Sequence, residues 1–344
     1  MNKGCKFGTH RVIEPIGSLP QGALKISNNM EIMSNELLIN VQTLNIDSAS
    51  FTQIKEACQR DEKLMADMIT GIVNERGKMQ NPVTGSGGML IGTVEKIGPD
   101  FPDKNLKEGD KIATLVSLSL TPLKIDEIKK VNISNDQVDV NAKAVLFESG
   151  IYAVLPQDVP EKLALAALDV AGAPAQVEKL VKEGDTVCII GGGGKSGVLC
   201  CYQAMKNVGE TGKVIVFEYS EANAQRIREM GLAHEVVIGD ATKPVEVYNK
   251  INELTNGELC DVVINNVNVQ GTEMSSILIT KDEGTVYFFS MATSFTKAAL
   301  GAEGVGKDVN MIVGNGYTKG HANLTLQIIK ESKAIRELFE KLYV

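Results

Sequence analysis

The segment Thr186-Val187-Cys188-Ile189-Ile190-Gly191-Gly192-Gly193-Gly194-Lys195-Ser196-Gly197-Val198-Leu199-Cys200-Cys201-Tyr202-Gln203-Ala204-Met205 decides the fold. Its apolar start reads as a buried strand, the glycines as a turn, and the remainder as a helix. Gly192, Gly194 and Gly197 satisfy G-x-G-x-x-G. In that motif the first glycine makes a tight turn, the second lets bare backbone approach a diphosphate, and the third allows close helix-to-strand contact. The helix N-terminus adds free N–H groups and a partial positive charge. Gly194-Lys195-Ser196 also looks like the end of a nucleoside-triphosphate loop, but the four-residue spacing from an earlier glycine is missing.

Strand-like apolar runs recur downstream at 213–217, 235–238, 261–265, 285–290 and 310–313. Between them, 197–209, 221–230, 244–255 and 272–279 have helical spacing, as in Val247, Tyr248, Ile251 and Leu254. Six such strands joined by helices predict an α/β, doubly wound parallel sheet. Glu218 ends the second strand, 21 residues after Gly197, where an acid accepts hydrogen bonds from an adenosine ribose. A carboxylate there repels a 2′-phosphate, which favours NAD, with NADP as the alternative. The expected cofactor set is Gly192, Gly193, Gly194, Lys195, Ser196, Gly197 and Glu218, with Ser290 and Gly314 at the ends of the last two strand candidates.

The first half reads differently. Runs at 36–42, 89–98 and 111–116 are strand-like, with Gly and Asp at their ends. Leu64/Met65, Met68/Ile69 and Ile72/Val73 recur every four residues and predict a helix or helix pair over about 54–77. A β-rich domain over 1–165 followed by a dinucleotide-binding domain over 166–344 is the expected organisation.

At 344 residues, with 43% hydrophobic and 23% charged residues, the chain is long enough for two cores. Its 35 Lys and Arg against 43 Asp and Glu give a net charge of −8 with no basic block, so nucleic acid is not expected as a partner. The most apolar stretch, 163–177, is interrupted by Asp169 and Pro174 and is too short to span a membrane. The first fifteen residues lack the apolar segment of a secretory signal, which leads to an expected cytoplasmic location. Six scattered cysteines without Cys-x-x-Cys, and His10, His234 and His321 far apart, predict no metal site.

Beyond the glycine loop, Asn45-Ile46-Asp47-Ser48, Gly85-Ser86-Gly87 and Gly314-Asn315-Gly316-Tyr317 make the chain resemble the medium-chain dehydrogenases/reductases over nearly its whole length. That resemblance implies a GroES-like β domain ahead of a Rossmann domain, and a homodimer or tetramer. Asp47, Ser86 and Gly87 stand where the zinc enzymes of that family carry Cys, His and Glu, so a zinc-free branch is implied. Three longer strings, Lys3 to Pro15, Val41 to Ile54 and Asn81 to Glu95, resemble a narrower group of amine dehydrogenases of bacterial lysine fermentation. The activity implied is reversible, NAD-linked oxidative deamination of 3,5-diaminohexanoate to 5-amino-3-oxohexanoate and ammonia.

Such a reaction needs a base for the reacting amine, an anchor for the second ammonium and a donor for the carboxylate. Asp47 and Asp169 are the expected catalytic pair, both in apolar surroundings where burial would make a carboxylate a better base. A helix cap or a structural hydrogen bond is the competing role for each. Ser48 and Ser86 are candidate substrate contacts, and Arg11, His10 and Lys297 are candidates for the carboxylate. Two rival functions stand beside this one: a zinc-free quinone or enone reductase using NADPH, and an NAD-binding protein without catalysis.

Overall fold

The computed structural model describes residues 2–290, 292–314 and 316–344. They form two units, one ending at Asp158 and the other beginning at Val159.

In the first unit, β1 (Val12–Glu14) and β2 (Lys25–Ile26) make a small antiparallel pair. The main sheet uses β3 (Leu37–Asn45), β4 (Met89–Ile97), β5 (Lys111–Thr114), β6 (Leu123–Asn132), β7 (Gln137–Leu146) and β8 (Tyr152–Val154). Among the described residues its order is β6-β7-β3-β4-β5-β8, antiparallel throughout. Leu37, Ile39, Leu44 and Leu90 from this sheet pack with Phe51 and Ile69 in a core closed to solvent. Each such side chain contributes about 1.5–3 kcal/mol of burial. The periodic segment is a helix pair, α1 (Ser48–Ala57) and α2 (Glu62–Arg76). The chain breaks between them because Gln59 and Arg60 adopt left-handed φ of 52° and 64°. Asp61 then caps α2 by accepting from the N–H groups of Lys63 and Leu64. At its other end Gly77 takes φ 73°, and a Cβ there would lie 2.0 Å from the Ile26 carbonyl oxygen.

The β6–β7 hairpin was not expected from the sequence. Along most of their length apolar inward residues alternate with polar or charged ones, and contiguous apolar residues come only at the end of β7, Ala144 to Leu146.

The second unit contains α3 (Glu161–Leu168), α4 (Gly172–Leu180), β9 (Thr186–Ile190), α5 (Lys195–Val208), β10 (Lys213–Glu218), α6 (Glu221–Glu229), β11 (Glu235–Ile238) and α7 (Pro244–Leu254). It continues with β12 (Cys260–Asn265), α8 (Glu273–Leu278), β13 (Thr280–Phe288), α9 (Phe295–Val305), β14 (Asn310–Val313), α10 (His321–Glu331) and α11 (Lys333–Tyr343). Among the described residues the sheet order is β11-β10-β9-β12-β13-β14 with every pair parallel, the doubly wound arrangement expected. Val187, Cys188, Ile189 and Ile190 of β9 are wholly buried, as a central strand covered on both faces requires. The unit begins earlier than residue 166. The apolar stretch at 163–177 folds as α3 and α4, and α3 packs against α10 and α11 of the same unit. No helix among the described residues is long and apolar enough to cross a membrane.

Candidate functional site

In the second unit, β9 ends at the crevice where the sheet order reverses, between β10 and β12. The glycines there divide the labour differently from the motif reading. Gly191, not Gly192, makes the left-handed turn, with φ 80°, and its N–H donates to the Phe217 carbonyl oxygen at 2.8 Å. Gly192 is a packing residue: a Cβ would lie 2.7 Å from Val216 Cγ1 and 3.0 Å from Cys201 Sγ. At Gly197 a Cβ would lie 2.1 Å from the Gly191 carbonyl oxygen, so the helix reaches the strand only without a side chain. Gly194 caps α5 in an extended conformation, and the nearest atom to a Cβ there is 3.8 Å away. The bare backbone at Gly194 therefore faces open space at the helix N-terminus. That is the cradle a dinucleotide's diphosphate needs.

Glu218 is buried, and its carboxylate is committed to the loop. Oε2 accepts from the Gly193 N–H at 2.9 Å, and Oε1 from the N–H groups of Tyr219 at 3.0 Å and Ser220 at 3.3 Å. Two carboxylate oxygens offer about four acceptor positions, so a ribose hydroxyl can still be accommodated. On the other side of the same residue, Arg226 Nη1 donates to the Gly193 carbonyl oxygen at 3.2 Å. Gly193 is thus clamped at both its polar groups. A Cβ on it would lie 2.4 Å from Asn223 Cβ.

Lys195 opens α5, and its Nζ pairs with Asp169 Oδ2 at 2.9 Å and lies 5.4 Å from the centroid of the Tyr343 ring. Ser196 behind it is buried. Ser290 lies two residues beyond β13, and its Oγ accepts from the Ala292 N–H at 3.1 Å. Gly314 follows β14 and donates its N–H to the Phe288 carbonyl oxygen at 2.7 Å. Asn315 lies outside the described residues. Asn266, at the end of β12, was missed: its buried Nδ2 has no hydrogen-bond partner, beside the crevice. An isolated Asn after a strand carries no sequence signal, whereas an orphaned donor beside a ligand crevice is informative.

Two expectations are corrected here. Asp169 is not buried: it ends α3 with its side chain 59% exposed, because the apolar residues on either side of it turn inward on α3 and α4 and leave it at the bend. Nor are Arg11 and His10 free to take a carboxylate. Arg11 forks onto the buried Glu36 at 2.8 and 2.6 Å and also donates to the Asn29 and Glu31 carbonyl oxygens. His10 accepts from the Cys5 N–H at Nδ1, so its Nε2 proton faces Glu36 at 3.0 Å. Burial pushes the Glu36 carboxyl up, but hydrogen bonds from Arg11 and Met33 and the charge of Arg11 outweigh it and hold it below the usual range. Lys297 is exposed on α9.

In the first unit, Asp47 caps α1. Oδ1 accepts from the Ser50 N–H at 3.0 Å, while Oδ2 is buried with no partner. A carboxylate with one oxygen fixed and the other buried without a donor is positioned and short of one hydrogen bond. Ser48 begins α1, and its side chain lies outside the described residues. Ser50 Oγ joins Thr84 Oγ1 at 2.6 Å and Ser86 Oγ at 2.9 Å, and Thr84 and Ser86 are 3.1 Å apart, so three hydroxyls close a triangle. Asn81, wholly buried, shapes the 81–86 loop: its Oδ1 accepts from Val83 N–H, and its Nδ2 donates to the Ser50 carbonyl oxygen and to Gln53. Sequence reasoning found Ser86 and missed Ser50, Thr84 and Asn81, whose roles depend on loops meeting in space.

Gly87 admits no ligand side chain, since a Cβ would lie 2.3 Å from the Met79 carbonyl oxygen. Among the described residues no cluster of three or more His, Cys, Asp or Glu is arranged to hold a metal ion. Nearby, Lys78 is wholly buried and donates to the Pro20 carbonyl oxygen at 2.6 Å. Burial, aided by the charge of Arg76, pushes its ammonium down to about 8.

Residues 10–156 match the family described as L-erythro-3,5-diaminohexanoate dehydrogenase N-terminal domain. An L-erythro-3,5-diaminohexanoate dehydrogenase of Acetoanaerobium sticklandii is 65% identical over 343 residues, covering 99% of this chain and 100% of the relative. One from Fusobacterium nucleatum is 61% identical over 345 residues, covering 100% of each. Among solved structures, a mycobacterial quinone oxidoreductase aligns with TM-score 0.55 at 18% identity, covering 93% of each chain. The CurK enoyl reductase aligns with TM-score 0.54 at 16% identity, covering 92% of this chain and 81% of its own. Those two likenesses carry the fold alone, an antiparallel GroES-like unit ahead of a Rossmann unit. Sequence identity along the whole length carries more: the chain belongs to the L-erythro-3,5-diaminohexanoate dehydrogenase family.

Proposed function

We propose that the protein oxidises L-erythro-3,5-diaminohexanoate at its 3-amino carbon: hydride passes to a nicotinamide dinucleotide, a proton is released, and water adds to the resulting imine to give 5-amino-3-oxohexanoate and ammonia. The observation that carries this is identity of 65% along the whole chain to a dehydrogenase of that name, in a chain whose glycine loop has an open cradle at Gly194. NAD is the preferred dinucleotide, because the buried Glu218 carboxylate stands at the end of β10 and repels a 2′-phosphate. Arg226 at Gly193 is the one observation favouring NADP.

When bound, the nicotinamide takes the hydride. The chain's own residues handle the proton and the charges. Asp47 is the base for the reacting amine: Ser50 N–H fixes one oxygen and leaves Oδ2 for the proton. Asp169, exposed, is the anchor for the distal ammonium. The Ser50-Thr84-Ser86 hydroxyls and Ser48 are the polar contacts offered to the substrate.

Self-association is part of this reading. β14 is an edge strand that leaves Met311 and Val313 exposed, and α9 leaves Phe295 and Leu300 exposed, which supports pairing with a second copy. All six cysteines are free, in keeping with a reducing cytoplasm.

The test mixes purified protein with NAD or NADP and with 3,5-diaminohexanoate or 3-aminohexanoate, and in a second arm with NADPH and a quinone panel, following the absorbance of reduced nicotinamide. Reduction with the diamino acid is expected, and Asp47→Asn should lower kcat and kcat/KM together by roughly 10²–10⁴-fold. Turnover confined to quinones with NADPH would replace this reading by the reductase one, and dinucleotide binding without any turnover by the non-catalytic one.

A further inference from the structure

Lys195 places a positive charge at the end of a helix that repels it. As the first residue of α5 it sits in the positive field of the helix macrodipole, where anions are favoured and cations are not. Its ion pair with Asp169, at 2.9 Å, does little to offset this, because the carboxylate is 59% exposed and the attraction is screened by water. The Tyr343 ring at 5.4 Å holds the lysine's position without neutralising it. One residue away, Gly194 leaves open space beside bare backbone. A cation so placed is short of an anion, and the site next to it is shaped for one.

We propose that Lys195 exchanges partners: on cofactor binding its ammonium leaves Asp169 for the dinucleotide's diphosphate, and the Asp169 carboxylate is released. Asp169 therefore competes with the cofactor for one lysine. This rests on the reading of the glycine loop as a dinucleotide site and adds a role for Asp169 that hydride transfer does not require. The exchange breaks no covalent bond and moves no backbone element, since Lys195 has four rotatable carbons between its anchored Cα and its charge. The freed carboxylate then carries an unshared negative charge, the form needed to hold an ammonium.

The experiment is a double-mutant cycle on NAD and NADH affinity, measured by calorimetry or by reduced-nicotinamide fluorescence without substrate. Its members are the wild-type protein, Asp169→Asn, Lys195→Gln and the double variant. Asp169→Asn is expected to tighten the cofactor by roughly two- to fivefold, the range of a surface ion pair. Lys195→Gln should weaken it by about tenfold or more, and Lys195→Arg should retain most of the affinity. In the Lys195→Gln background, Asp169→Asn should change nothing, because no lysine remains to be contested. Looser binding by Asp169→Asn, no change, or the same tightening in both backgrounds would overturn the exchange; the last would mean simple repulsion between carboxylate and diphosphate. A thermal melt of each variant checks folding. If the wild-type protein binds no dinucleotide, the functional reading itself falls and the exchange with it.

Discussion

Replacing Gly194 by valine separates the loop's structural duty from its binding duty. Gly194 has φ −78° and ψ 174°, an extended conformation in which valine is unstrained, and a Cβ meets nothing closer than 3.8 Å. The ligand-free protein should therefore be no less stable. Lost freedom in the unfolded chain should add about 0.4–1 kcal/mol, or a rise of roughly 1–4 °C for a unit of this size. The cofactor response should vanish, because the isopropyl group fills the space the diphosphate needs. At a cofactor concentration a hundred times the wild-type Kd, the expected stabilisation of the wild type is about 2.7 kcal/mol, a rise of roughly 5–11 °C. Differential scanning fluorimetry with and without NAD measures both quantities on one plate. Gly197→Ala is the contrasting variant: its Cβ would lie 2.1 Å from the Gly191 carbonyl oxygen, so it should lose about 1–3 kcal/mol before any ligand is added. A Gly194→Val protein that melts normally and keeps the full NAD-induced rise would refute the assignment of Gly194 as the diphosphate cradle.

Glu218→Ala should weaken NAD more than NADP, since it removes a ribose acceptor and a repulsion of the 2′-phosphate together; equal losses in titration would leave it only the task of holding Gly193. Lys78→Met probes the buried ammonium through pH. Between about pH 8 and the ordinary lysine value of 10.5, the unfolded chain keeps a proton that the folded chain has released, so this group's cost is fully present below pH 8 and fades as pH rises. The variant's stability relative to wild type should thus fall by up to about 3 kcal/mol across that window, and parallel urea-denaturation profiles at pH 7 and 10 would contradict this. Prolonged chelation should leave turnover unchanged, because Gly87 cannot carry a ligand side chain; activity lost to chelator and restored by zinc would show otherwise.

The second unit was legible because buried parallel strands write themselves as continuous apolar runs: 186–190 and 310–313 match β9 and β14. The β6–β7 hairpin was not, because one face meets water and charged residues interrupt the apolar ones along both strands. Positions of local chemistry were also legible. Glu218 reads as the end of β10 from the strand before it and the helix signal after it. What the sequence could not tell was environment. Asp169 lies among Leu, Ala and Val yet is exposed, since a helix end can turn one residue out of an apolar stretch. Arg11 looks like a free anion binder until Glu36 arrives from 25 residues away. Lys78, Ser50 and Asn81 acquire their meaning from loops that sequence spacing does not connect.

The place of β9 in its sheet bears on how the protein comes to be folded. It is the first strand of the second unit along the chain and a middle strand in space, with β10 on one side and β12 on the other. Every later strand must therefore be added outward from it, by crossovers that cannot close until β9 and the helix behind it have met. That meeting runs through Gly191, Gly192 and Gly197, the residues for which any Cβ would collide with strand, loop or helix. The loop is consequently under two separate demands, from assembly and from ligand. In the laboratory, variation aimed at changing the cofactor should be tolerated at Gly194 and Lys195 and should fail by misassembly at Gly197, because Gly194 faces open space and Lys195 makes only surface contacts, whereas Gly197 holds helix against strand.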